Sequence, residues 1–428
     1  MSVAVVLLIG TFFFFILIKM PIVYAIGVSS IITTVYLGLP LQTVAQNMVK
    51  GINVFALLAV PFFILSGEIM GAGGIALRLI KLSNALIGWM RGGLAMVNIL
   101  ASMFFGGISG SSTADTSALG SILIPLMKKE GYDGEFSTAV TMASSVQGIL
   151  IPPSHNVIIY SFAAGGLSVG KLFLGGLVPG VFLGIALMIY SYIVSVKRNY
   201  PVGDKFDLKK AFITFGDAFL GLVTVIIVVV GVIGGVFTAT EAAAIACVYS
   251  FIITFFVYRE ISIKEFPGIL MKAIKTISIV MVLIGTSSAF GWLLAYLRIP
   301  KLIANGILGF STEKVVVLII LNIFLLFLGM IMDMSANILI TTPIFLPIVM
   351  AVGVDPIHFG IIIMLNLGIG LITPPVGPTL FIGSAISGIS MEKLSMSMLP
   401  FFIVMLVTLI FITYIPGIVM LLPNLLMP

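Results

Sequence analysis

Apolar residues run along this chain in stretches long enough to cross a bilayer as helices, such as Leu220 to Phe237 and Phe401 to Leu422. They show little of the strict alternation that a strand requires. Shorter polar or small-residue stretches separate them. In the first half the pattern predicts spans over about 3–19, 20–38, 53–72 and 172–196, a helical hairpin over 92–128 and a broken span over 135–168. The same pattern returns 222 positions later. Pro125 and Pro152-Pro153 lie over Pro347 and Pro374-Pro375, Asp133 over Asp355, Gly148 over Gly370, and Lys50 over Lys272. Residues 1–200 and 223–428 therefore read as two copies of one unit, the second with its hairpin over 312–350 and its broken span over 358–390. Residues 201–222 link them. Each copy has five spans, and a hairpin that enters and leaves on one side adds no crossing, so the second copy is expected upside down relative to the first. The predicted fold is an all-α membrane protein of two inverted-topology repeats with re-entrant helical hairpins and broken helices.

Composition sharpens this picture. With 60% hydrophobic and 8% charged residues, a soluble domain is excluded. Val3 to Ile18 has no basic region ahead of it and reads as a span rather than a removed signal. With the N-terminus outside, 16 basic residues fall on the cytoplasmic side, and only Lys50, Lys171, Arg298, Lys301 and Lys314 fall outside. That asymmetry places both termini on the non-cytoplasmic side and the Lys197 to Asp217 linker inside, with Asp207 to Phe219 spaced as an amphipathic interfacial helix. The basic excess thus sets topology and is no nucleic-acid footprint. Cys247 has no partner, and neither a complete phosphate-binding Gly-x-x-x-x-Gly-Lys-Ser/Thr segment (Gly165 to Lys171 is followed by Leu172) nor a His/Cys/carboxylate set at ligand spacing is present.

The interruptions carry the chemistry. The first hairpin tip, Gly106 to Asp115, holds Ser109, Ser111, Ser112 and Thr113. Freed carbonyls and hydroxyl oxygens are hard ligands suited to Na⁺, and helix N-termini suit a carboxylate. Close packing through small residues is the competing explanation, against which Asp115 stands as an acid too costly in a membrane to be idle. Facing it, Pro152-Pro153 must break the helix and release carbonyls near Gly148, leaving Ser154 and Asn156 to hydrogen-bond a substrate. In the second copy Asp333 takes the register of Ser111 and Asn337 that of Asp115. Asp333 is the leading functional carboxylate, with a buried ion pair as its alternative. Arg298 and Lys301 either attract an anionic ligand or snorkel to the interface. Glu68 and Glu241 lie near span ends, where caps or loop pairs compete with proton coupling.

Four separated segments resemble one family: Ile108 to Asp115, Leu150-Ile-Pro-Pro-Ser154, Val236 to Ala243 and Leu371 to Gly377. They look like the signatures of the large membrane subunit of tripartite ATP-independent periplasmic (TRAP) transporters. Ala239 stands where that family usually has proline. The resemblance implies a Na⁺-driven secondary transporter of the bacterial inner membrane, working by an elevator movement. It implies two partners, a small four-helix membrane subunit and a periplasmic substrate-binding protein. Its ligands are small carboxylates such as C4-dicarboxylates or sialic acids. By motif, one Na⁺ site falls on Ser109, Ser111, Gly148 and Pro152 with their neighbours. The other falls on Gly329, Asp333, Asn337, Gly370 and Thr373. Substrate is expected between the two tips. A stand-alone ion-coupled carrier and a channel are the competing readings.

Overall fold

The computed structural model describes residues 2–427, which are helical almost throughout and form no strand. The first half comprises α1 (Ser2–Leu17), α2 (Ile22–Tyr36), α3 (Gln42–Ile52), α4 (Ala59–Ala72, led by a 3-10 turn over Phe55–Leu58), α5 (Ile75–Ile87), α6 (Gly93–Ser109), α7 (Ser112–Lys129), α8 (Gly134–Ser145), α9 (Gln147–Leu150), α10 (His155–Ala163) and α11 (Val169–Lys197). The second comprises α12 (Leu208–Ile233), α13 (Ala239–Ile252), α14 (Phe266–Tyr296), α15 (Ile299–Phe310), α16 (Lys314–Ile331), α17 (Met334–Ala351), α18 (Pro356–Gly370), α19 (Pro378–Ser387), α20 (Met391–Tyr414) and α21 (Pro416–Leu426). Among the described residues, eight helical stretches are long and apolar enough to cross a membrane.

Local sequence explains the ends of these helices. Thr238 and Glu241 form a capping box at the start of α13: the Glu241 amide donates to the Thr238 hydroxyl at 3.2 Å, and the Thr238 amide donates to Glu241 at 2.8 Å. Asp355 opens α18 by accepting from the Ile357 amide at 2.7 Å. The Pro-Pro pairs separate α9 from α10 and α18 from α19, and both Pro-Pro bonds are cis.

The centre is built from α8 and α18, in which every residue from Phe136 to Ser145 and from Ile357 to Gly370 is buried. The halves interlock there. Tyr160 of α10 donates to the Pro356 carbonyl at 2.6 Å, and its ring lies where a side chain on Gly360 would otherwise sit. Around this centre α3 packs on α14 and α4 on α13, with Ser66 and Ser250 sharing a 2.8 Å hydrogen bond. The outer faces present apolar side chains such as Phe212, Ile226, Val230 and Val236, as expected of surfaces that meet lipid or another membrane helix.

Two elements differ from expectation. The amphipathic stretch 207–219 is no separate interfacial helix, because α12 runs unbroken from Leu208 to Ile233 and its apolar face continues into the span. Only the linker ahead of it is irregular. The linker is fastened to the base of the first hairpin by the Gly92 amide donating to Pro201 and by Arg198 and Tyr200 on Asp133. The third span of the second half is also fused with its amphipathic connection into one 31-residue helix, α14. Its counterpart is broken at Val54, which is extended.

Candidate functional site

Two tight turns, α6–α7 and α16–α17, bring helix ends to one region. At the first, Gly110 is left-handed (φ 60), and a β-carbon there would stand 2.8 Å from the Pro153 carbonyl oxygen, so glycine is needed for both conformation and space. Behind each turn a glycine meets a glycine of the broken helix. A β-carbon on Gly106 would come within 2.4 Å of the Gly148 α-carbon, and one on Gly370 within 2.5 Å of the Gly329 backbone. Backbone therefore touches backbone where the broken helices end, and in the first half the Pro152 and Pro153 carbonyl oxygens face the tip.

The first tip is hydroxyl-rich. Ser111 caps α7 by accepting from the Ala114 amide at 3.4 Å. Ser112 shares hydrogen bonds with Ser145 at 2.7 Å and with Thr379 of α19 at 3.2 Å. Asp115, one turn on, is fully buried. Its Oδ1 accepts from Ser102 at 3.0 Å, and Ser102 meets Ser144 at 2.9 Å, which continues to Asn98. Its Oδ2 has no partner and points toward Gly148. The buried Ser154 hydroxyl and Gln147 Oε1 are also unpartnered.

At the second tip Asp333 caps α17, accepting from the Ser335 amide at 2.9 Å, and is exposed. Asn337 is buried. Its amide nitrogen donates to the Leu328 and Met332 carbonyls, each at 3.2 Å, which leaves Oδ1 inward and unpartnered. The Ser335 hydroxyl donates to Asn156 Oδ1 of α10 at 3.3 Å. Each tip is thus bonded to the half-helix of the other half of the chain.

Both tips open on a cavity of about 760 Å³. Ser109, Ser111, Ser112, Thr113, His155, Asn156 and Asp333 line it, while Asp115, Gly148, Pro152, Ser154, Gly329, Asn337 and Gly370 stand behind that wall. Thr373 donates to Ile369 at 2.7 Å in the segment that breaks the helix after α18. Unsatisfied buried oxygens are costly, and Asp115 Oδ2 and Asn337 Oδ1, one behind each tip, are oxygens with no proton donor facing them, ligands that fit a hard monovalent cation. Among the described residues no three His, Cys, Asp or Glu side chains gather as a metal-ligand set.

Arg298 does not join this group. It is exposed at the turn into α15, whereas the cavity-facing stretch of α14 ends at Leu283, about 22 Å away along the helix. Lys301 is likewise exposed. The cations that do line the cavity are Lys272 and Lys275, which pattern reading assigned to topology because they follow a cytoplasmic loop. Their spacing along α14 with Ile269, Thr276, Ile279 and Leu283 was the available signal. Glu68 also lies in the cavity wall, within α4 rather than at a cap, while Glu241 is the capping residue described above. Among the described residues Asp333 makes no ion pair, so its alternative role as half of a buried salt bridge is not realised there.

Residues 9–418 match the family model of the tripartite ATP-independent periplasmic transporter, DctM component. The chain belongs to that family. YgiK of Salmonella typhimurium is 44% identical over 428 residues, covering 99% of this chain and 98% of that one. The C4-dicarboxylate TRAP transporter large permease protein of Pseudomonas aeruginosa is 43% identical over 370 residues, 86% of each chain. The sialic acid TRAP transporter large permease protein of Vibrio cholerae is 37% identical over 381 residues, 89% of each. In fold, the chain is similar to the Alcanivorax borkumensis YdaH transporter, with a TM-score of 0.64 over 88% of each chain at 15% identity. This TRAP permease is therefore a multi-pass membrane transporter component and not an enzyme.

Proposed function

We propose that the chain is the large permease subunit of a Na⁺-coupled TRAP transporter that imports a small organic acid, a C4-dicarboxylate or a sialic acid, across the bacterial inner membrane. The observation that carries this reading is the pair of hairpin tips, each with an unpartnered buried oxygen behind it, opening on one cavity. Asp115, Ser109, Ser111, Gly148 and Pro152 would hold one Na⁺, and Gly329, Asp333, Asn337, Gly370 and Thr373 the other. Ser112, Thr113 and Asn156, with the α7 N-terminus, would take the substrate carboxylate between them, and Ser154 would stand behind Asn156. The relatives' substrates are anions of this size.

Na⁺ binding orders the tips and pre-forms the substrate site, so that ion and substrate affinities are coupled reciprocally. The hairpins and broken helices then move as one transport domain against the remaining helices, with the two halves in inverted orientation and both termini periplasmic. The α4 C-terminus and α14 N-terminus, which wall the cavity, lie at the end where basic loops gather, so this arrangement is the cytoplasm-facing one. A periplasmic binding protein delivers substrate, and a small four-helix membrane subunit completes the scaffold.

Uptake of labelled succinate and sialate into liposomes containing the three components, with and without an inward Na⁺ gradient, tests the reading. Uptake that needs both Na⁺ and the binding protein is expected. Uptake by this chain alone, or uptake indifferent to Na⁺, overturns it.

A further inference from the structure

The cavity has two unlike walls. One is made by the hairpin tips and α10, rich in hydroxyls and helix N-termini. The other is made by α4 and by the first half of α14, whose cavity-lining stripe runs Ile269, Lys272, Thr276, Ile279 and Leu283, with Lys275 at its edge. Both lysines are exposed to the cavity. The ion pairs among the described residues are Arg78–Glu260 and Arg198–Asp133, so neither ammonium group is neutralised by a contacting acid. Two cations one turn apart, with a hydroxyl on the next turn, make an attractive surface for an anion.

We propose that Lys272 and Lys275 form an anion-receiving station on the stationary wall, which takes the acid group of the substrate as it leaves the tips. The proposal rests on the transport reading above. It adds a determinant that the tips do not contain: the tips travel with the substrate, whereas α14 stays, so the lysines face the anion only while the cavity has this shape. Their effect therefore falls on one side of the membrane, and it grows with substrate charge because two cations act on a dianion more strongly than on a monoanion. Glu68, on α4 of the same wall, lies near enough to feel the charge of Lys272 without contacting it, so the two lysines leave that wall with a net positive charge.

The test uses the complete three-component system in liposomes, with counterflow of labelled succinate and labelled sialate measured from the cavity-facing side. In the Lys272→Gln/Lys275→Gln variant the half-saturating concentration on that side should rise about tenfold for succinate and about threefold for sialate. The Lys272→Arg/Lys275→Arg variant should stay near wild type, and the half-saturating Na⁺ concentration should be unchanged in both, which separates loss of the station from damage to the tips. Equal shifts for the two anions, or no shift in the glutamine variant, overturn the proposal while wild-type Na⁺-driven uptake stands. Absence of Na⁺-dependent uptake in the wild type overturns the transport reading itself.

Discussion

The two hairpin tips use the same two positions for opposite purposes. In the first, the helix cap is a neutral serine, Ser111, and the acid, Asp115, lies one turn deeper, wholly buried. In the second, the cap is the acid, Asp333, and the deeper position holds the neutral Asn337. A helix N-terminus capped by a hydroxyl keeps its partial positive charge for a visiting anion, whereas one capped by a carboxylate has already spent it. The first tip is thereby suited to hold a substrate carboxylate in front and a cation behind. The second presents its own negative charge to the cavity. Exchange of one charge between two positions gives two related turns different electrostatic fronts.

Removing the acids should break this comparison most severely at the first tip. Asp115→Asn copies the second tip's deeper residue into the first and leaves a buried site without formal charge. The half-saturating Na⁺ concentration for uptake should rise about a hundredfold, since ligand charge is a main lever on hard-cation affinity. Asp333→Asn, at the exposed cap, should cost about tenfold. Adding Ser111→Asp to Asp115→Asn rebuilds the second arrangement in the first tip and should restore part of the Na⁺ affinity while weakening anion uptake. Equal losses from both single variants would mean that the exchange of positions has no functional content.

Much of this architecture was legible because its signals are local. Pro152-Pro153 and Pro374-Pro375 cannot lie within a continuous helix, and the polar tips stand out against apolar arms. Which half-helix meets which tip was not legible. The Ser112–Thr379 and Ser335–Asn156 bonds join residues 267 and 179 positions apart, and no periodicity encodes such a pairing. Lys272 and Lys275 were passed over as cavity residues for a related reason: a basic residue near a span end carries the same topological signal whether it faces headgroups or a cavity. Arg298 was the converse, a cation credited with a site from which the length of α14 removes it. The linker helix and span of α12 merged because no proline intervenes, and Gly216 and Gly221 near the junction each cost a helix only about 1 kcal/mol, too little to stop it.

The glycine contacts provide the next test of how alike the tips are. At the first, Gly148→Ala would put a methyl group 3.0 Å from the Gly106 α-carbon; at the second, Gly370→Ala would put one 2.5 Å from Gly329 backbone. Backbone cannot yield as a flexible side chain can. Gly370→Ala should destabilise the protein by about 2–3 kcal/mol and Gly148→Ala by less, read as thermal unfolding of the detergent-solubilised chain. A larger loss in Gly148→Ala would show that the first contact is the more rigid of the two. Smaller still is the contribution of the crossed hydrogen bonds. Thr379→Val and Ser335→Ala each remove a bond of about 0.5–1.5 kcal/mol, and each should lower the Hill coefficient for Na⁺ while leaving maximal uptake nearly intact. An unaltered coefficient in the double variant would leave the tips uncoupled.

At the bases of the two hairpins, the comparison reduces to one aspartate in each half. Asp355 caps its helix, and Asp355→Ala should lower stability by about 1 kcal/mol. Asp133, in the matching position, makes no cap bond; it accepts from the Tyr200 hydroxyl at 2.5 Å and from Arg198 at 2.6 Å, tying the linker to the first hairpin. The Tyr200 hydrogen bond first, and then the Arg198 hydrogen bond and charge, hold its carboxyl below the usual carboxylate range against a modest cost of burial. A carboxyl lowered in the folded state adds stability above its unfolded value of about 4, and that stability is lost as pH falls through the folded value. The pair is half exposed and therefore weak. Wild type and Asp133→Asn should differ by only a few degrees in thermal midpoint at pH 7 and converge as the pH drops below 4. A difference that persists in acid would mean that Asp133 acts through the shape of the linker junction rather than through its charge.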